Sequence, residues 1–281
     1  MRKLIYVFSL LIMASVLLVA CGPDSQRASS GGVNQSQTQG SDENSSRSKP
    51  KKPDQKNGKM KEDENDRKDK TGKGHTVVID PGHQEAAMDA LEPIGPGASQ
   101  SKPMLSSGTS GVATGVPEYQ LALDVSLKLR DELRARGYKV VMIREDNHCP
   151  ISNRGRAEIA NKYRGAVFLR IHANGDSNPA TSGMLTMCPA SDNPYTPEII
   201  GDSNRLARLV LDQMVKSTGA TSKGIIETNN MSGINWCKIP VTIIEMGFMS
   251  NPDEDRLLQT EDYQKKIVDG ISNGVDKYFE I

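Results

Sequence analysis

Residues 76–83 read Thr76-Val77-Val78-Ile79-Asp80-Pro81-Gly82-His83. An apolar, β-branched run of this length is a strand, and the Asp-Pro-Gly after it ends the strand in a turn. The run is apolar at successive positions rather than at every second one, so both faces of the strand are covered. The same reading extends outward. Lys139–Ile143, Ala166–Ile171, Gly183–Met187 and Val241–Glu245 are further strands. Glu118–Arg136 carries Leu121, Val125, Leu129 and Leu133 at four-residue spacing, with Gly137 closing it as a helix. Ser152–Tyr163, Asp202–Ser217 and Asp262–Phe279 also read as helices. Strands alternating with helices predict the α/β class: one domain with a twisted, mostly parallel sheet and helices on both faces. Gln84–Pro117, rich in Gly, Ser and Pro, reads as a long loop.

This pattern occupies residues 75–281, enough for one domain with a sizeable core. What precedes it is different. Arg2 and Lys3 open the chain, and Leu4–Ala20 is an apolar run that stops at Cys21. Residues 1–20 therefore read as a secretory signal peptide. Leu18-Val19-Ala20-Cys21 resembles a bacterial lipobox, in which the cysteine thiol takes a diacylglycerol and the chain is cut before it. A transmembrane anchor is the other reading, because the run approaches the about 20 residues needed to span a bilayer. The cysteine at the junction of apolar and polar sequence favours the lipobox, and either reading exports the rest of the chain. Residues 21–74 are Ser, Gly, Gln, Asn and mixed charges, with Ala28, Val33 and Met60 as the apolar exceptions. Such a stretch buries too little surface to offset its ordering entropy and reads as a disordered tether. Lipidated at Cys21, the domain would work at the extracytoplasmic face of the membrane, within reach of the cell wall.

Thirty-five Lys and Arg balance thirty-five Asp and Glu, which excludes a nucleic-acid binder acting through bulk positive charge. Beyond Cys21 stand Cys149, Cys188 and Cys237, an odd number without CxxC spacing. They indicate neither a disulfide framework nor a thiolate zinc cluster, and read as small buried thiols.

The histidines are His75, His83, His148 and His172. His83 and His172 each stand just beyond a predicted strand, and Glu245 ends another. In open α/β folds the site lies beyond the carboxyl ends of the strands, so these three belong to one edge. Glu118 opens the helix after the long loop. Two imidazoles and a carboxylate suit catalytic zinc, which takes three protein ligands and leaves one position for water. A further carboxylate must then move the water's proton. Glu118 and Glu245 suit those two parts, and spacing alone does not assign them. His148-Cys149 lies in a polar loop, His75 is expected to be solvated where the tether meets the domain, and Trp236 is expected to be a packing residue.

Four segments carry a resemblance to a known family. They are Val78-Ile79-Asp80-Pro81-Gly82-His83, Gly115-Val116-Pro117-Glu118, Arg170-Ile171-His172-Ala173-Asn174 and Ile244-Glu245-Met246-Gly247-Phe248-Met249-Ser250-Asn251. In this order they resemble the motifs of zinc-dependent N-acetylmuramoyl-L-alanine amidases, over essentially all of residues 75–281. The resemblance implies that His83, Glu118 and His172 bind Zn2+ and that Glu245 is the catalytic base and acid. It implies hydrolysis of the amide between the lactyl group of N-acetylmuramic acid and the L-alanine of the stem peptide, with peptidoglycan as partner. Arg154–Asn161 looks like a recurring family helix of mainly structural role. Arg170 replaces the usual Ser and is expected to point away from the site, and Gln84 and Glu85 stand where glycines are common. No wall-binding repeat is visible, so localisation falls to the anchor or a partner protein, and no residue identifies an activator.

Overall fold

The computed structural model describes residues 74–281; the apolar run, Cys21 and the polar tether lie outside the described residues. The strands are β1 (Thr76–Pro81), β2 (Met88–Pro93), β3 (Ser101–Leu105), β4 (Lys139–Met142), β5 (Val167–Asn174), β6 (Met184–Pro189), β7 (Ser222–Thr228) and β8 (Val241–Phe248). The helices are α1 (Glu118–Ala135), α2 (Asn153–Ala160), α3 (Ile200–Thr218), α4 (Ser232–Asn235), α5 (Pro252–Leu258) and α6 (Glu261–Phe279).

Six strands form one mixed sheet in the order β4-β1-β5-β8-β6-β7. The first four run parallel, β6 is antiparallel to β8, and β7 is parallel to β6. The apolar runs are covered on both faces, as their composition requires. Val77, Ile79, Val167, Leu169 and Ile171 pack with α1, α3 and α6 in one core. Val78, Phe168, Val241 and Ile243 face the other way and pack with residues of α2 and α4. Strand alternation carries that second face upward to Asp80, Arg170, His172 and Glu245. The site is therefore built on the α2/α4 face of β1, β5 and β8.

The long loop expected over Gln84–Pro117 contains a two-stranded antiparallel sheet, β2 paired with β3. Its residues, Met88-Asp89-Ala90-Leu91-Glu92-Pro93 and Ser101-Lys102-Pro103-Met104-Leu105, are mixed in polarity and hold a proline each. That is an edge hairpin with little periodic signal. Strand β7 was also invisible to periodicity, because it is an edge strand with no fully buried side chain. Helix α5 had a signal: the Asn251 side chain caps Asp253 and Glu254, and Pro252 sits in its first turn. Among the described residues no helix is long and apolar enough to cross a membrane. Cys149, Cys188 and Cys237 are buried and free.

Candidate metal centre

β1 ends in Asp80-Pro81-Gly82, and the next residue, His83, is left-handed with φ 58°. This conformation is uncommon for a residue with a Cβ and has to be held. Two buried arginines hold it. Arg144 donates to the carbonyls of Pro81 (2.9 Å) and Gly82 (2.8 Å). Arg156, on α2, donates to the carbonyls of Pro81 and His83, each at 3.0 Å. The helix expected to be mainly structural thus also clamps the loop that presents His83.

His83 Nδ1 lies 2.8 Å from the Ser106 carbonyl, which can only accept, so Nδ1 carries the proton. Nε2 then presents a lone pair inward. It faces Glu118 Oε1 at 3.0 Å and His172 Nδ1 at 3.1 Å, and His172 Nδ1 lies 3.0 Å from the same Glu118 oxygen. Glu118 begins α1, and its other oxygen accepts from Thr109 N–H at 2.9 Å. Three acceptor-type atoms converging this closely repel one another unless a cation or proton lies among them. A tetrahedral ion with bonds of about 2.0 Å has ligand-to-ligand edges of about 3.3 Å, close to the spacing seen. The donor set therefore fits zinc, with His83, Glu118 and His172 as the one metal-competent group among the described residues.

Electrostatics sharpen the picture. Burial pushes the Glu118 carboxyl up, but its bonds to His172 and His83 outweigh this and hold it well below the usual range. Burial lowers His172 to about 4, against the pull of Glu118, so its imidazole is neutral at pH 7. Glu245 stands opposite His172 in the β5–β8 register. Burial raises its carboxyl to about 8, with the charge of Glu118 adding to the effect. His172 Nε2 and Glu245 Oε2 are buried without a hydrogen-bond partner. A cleft of about 750 Å³ runs past these groups, bordered by the hairpin at Lys102 and Leu105 and by α4 at Gly233.

The remaining sequence candidates are elsewhere. His148 is exposed and bonds Glu85 at 3.0 Å. His75 is stacked on Phe279, ring centroids 4.1 Å apart, rather than solvated. Trp236 packs beneath the Arg154 guanidinium and donates to the Pro93 carbonyl at 2.9 Å. Arg170 does not point away from the site. It is two residues from His172, and period two puts both on one face, so Arg170 lines the cleft. Asp80 is a functional-site residue that the motif alone does not explain. Burial raises its carboxyl, yet Arg156 and Arg170 bring it down to about 2. A carboxylate closing an apolar strand was the signal that singled out Glu245, and it applies equally to Asp80.

Comparison with known proteins gives the family. Residues 77–277 match the family model described as N-acetylmuramoyl-L-alanine amidase. The chain is 29% identical over 211 residues to the N-acetylmuramoyl-L-alanine amidase Rv3717 of Mycobacterium tuberculosis, covering 72% of this chain and 85% of that one. It superimposes on the crystal structure of the amidase Ami1 from Mycobacterium smegmatis with a TM-score of 0.67 and 28% identity, covering 74% of this chain and 97% of the other. The catalytic domain of CwlV from Bacillus (Paenibacillus) polymyxa gives a TM-score of 0.59 at 26% identity, covering 74% of this chain and 99% of that domain.

Proposed function

The chain belongs to the N-acetylmuramoyl-L-alanine amidase family, and from that premise we infer that it hydrolyses the amide joining the lactyl group of N-acetylmuramic acid to the stem-peptide L-alanine in peptidoglycan. We propose that the reaction uses zinc held by His83, Glu118 and His172. What supports this is the convergence of three donor atoms at 3.0–3.1 Å, with Glu245 on the same sheet face. Zinc bound there supplies Lewis-acid polarisation of the scissile carbonyl and a water acidified toward a pKa of about 7. The chain's own residues do the rest. Ser106 fixes the His83 tautomer, and burial keeps His172 neutral. Glu245 takes a proton from the attacking water and returns it to the leaving alanine nitrogen. No Ser or Cys nucleophile is needed: the three described thiols are buried, and burial pushes those of Cys188 and Cys237 up to about 11 and about 12.

The test is a digest of purified peptidoglycan read by mass spectrometry, with metal analysis of the same protein. Free stem peptides beginning with L-alanine are expected. Activity should be lost on chelation and restored by zinc, at about one ion per chain, the stoichiometry of a three-ligand catalytic site. Shortened stems still joined to glycan would mean a peptidase instead.

We further propose that residues 1–20 are a lipoprotein signal, that Cys21 carries the lipid, and that residues 21–74 tether the domain of residues 75–281 at the outer face of the membrane. The support is the position of Cys21 where the apolar run meets polar sequence. Metabolic labelling with a fatty acid is expected to mark the parent protein and leave Cys21→Ala unmarked. Label retained by the variant would remove Cys21 from the account.

A further inference from the structure

Arg170 lies on the floor of the cleft, about 7 Å along β5 from His172, two residues at about 3.3 Å each. Its guanidinium is built into the wall. Nε donates to Asp80 Oδ2 at 2.8 Å and Nη2 to Asn153 Oδ1 at 2.6 Å. The third nitrogen, Nη1, has no hydrogen-bond partner among the described residues. It abuts Gly233 of α4, where a Cβ would stand 1.6 Å from it. Only glycine leaves room for this nitrogen at the cleft wall.

On its bonded side Arg170 shares its counter-charge. Asp80 accepts from Arg170 and also from Arg156, whose Nη1 lies 2.7 Å from Oδ1. One carboxylate thus faces two guanidiniums. Arg144 packs alongside and bonds carbonyls and the Asn147 amide rather than a carboxylate. Burial above all, and then the charge of Arg156, pushes Arg144 down to about 10. A buried cation without a counter-charge is unfavourable. The edge of the guanidinium left to meet a further anion is Nη1, at the cleft.

The amidase reading, on which this inference rests, says which anion arrives. The muramoyl side of the scissile bond carries hydroxyls and acetamide groups. Carboxylates lie on the peptide side, where the second residue is the first beyond the alanine that can carry a free one. We propose that Arg170 is a specificity-determining residue whose Nη1 binds a free carboxylate on the second residue of the stem peptide.

The unmodified, zinc-loaded full chain tests this on two muramoyl peptides that differ only in that carboxyl, free in one and a carboxamide in the other. The acid is expected to be cleaved with a kcat/KM roughly 10- to 100-fold higher, mostly through KM, as a charge-assisted hydrogen bond gives. Arg170→Gln and Gly233→Ala should bring the ratio toward one, and Arg170→Lys should restore part of it. Equal cleavage of both substrates by the parent protein overturns the inference and leaves the amidase reading standing. Cleavage of neither overturns both.

Discussion

Glu245→Gln is expected to bind zinc as the parent does and to lower kcat by about 10³-fold, within the range that general acid–base groups contribute. Gln keeps the shape of the side chain and one oxygen, so the packing around β8 is undisturbed. What it loses is the ability to exchange a proton. The structure gives that ability a physical basis. Glu245 is buried, has Oε2 unpartnered and titrates near 8 under the influence of burial and then of Glu118. A dication bound beside it favours the ionised form and brings the value back down. A carboxyl balanced between these two influences can accept a proton from water and release it to an amine near neutral pH. Metal content separates this role from a ligand role. A variant that loses zinc along with turnover would make Glu245 a ligand, and one that retains activity within tenfold of the parent would give it no part in proton transfer.

The difference between Glu245 and Glu118 was not written in local sequence. Both are carboxylates at element ends, and only the matched motifs of the family assigned them. In three dimensions the two carboxylates stand in different places. Glu118 sits where α1 starts and meets both imidazoles, whereas Glu245 stands opposite His172 in the β5–β8 register and is not among the converging atoms. The central strands and the long helices were legible because each buries a continuous apolar face. The edges were not. β7 and the β2–β3 hairpin have mixed polarity: β7 pairs with β6 alone at the sheet edge, and β2 and β3 pair only with each other. The reversal of β6 against β8 was equally hidden, since a strand's sequence does not state its direction. Arg170 faces the cleft, against the expectation, because two residues along a strand return to the same face. The groups that support His83 and Glu118, namely Ser106, Thr109, Arg144 and Arg156, act through backbone atoms, which leave no pattern in a single sequence.

Gly82 is the clearest case of such a hidden requirement, and Gly82→Ala is expected to weaken zinc binding by about 100-fold or more, at the upper end of supporting-residue effects or beyond, with activity falling in step. A Cβ at this position would stand 2.4 Å from His172 Cε1 and 2.6 Å from both ring nitrogens. Something must move by more than half an ångström, and the backbone is poorly able to. Gly82 N–H donates to the Ile171 carbonyl at 2.8 Å, and the Gly82 carbonyl accepts from Arg144 at 2.8 Å. Pro81 fixes φ on its other side. The imidazole is the freer group, held in place by packing and by its contacts to Glu118 and His83. It therefore swings away, Nδ1 leaves the triangle, and two ligands remain where three are needed. Gly201→Ala is the matching control. It lies in α3 with nothing within 4 Å of the added carbon, so zinc binding there should be unchanged. Zinc titration of the two variants reads the contrast directly, and Gly82→Ala binding zinc as tightly as Gly201→Ala would mean that the His172 ring is not the atom set that holds the ion.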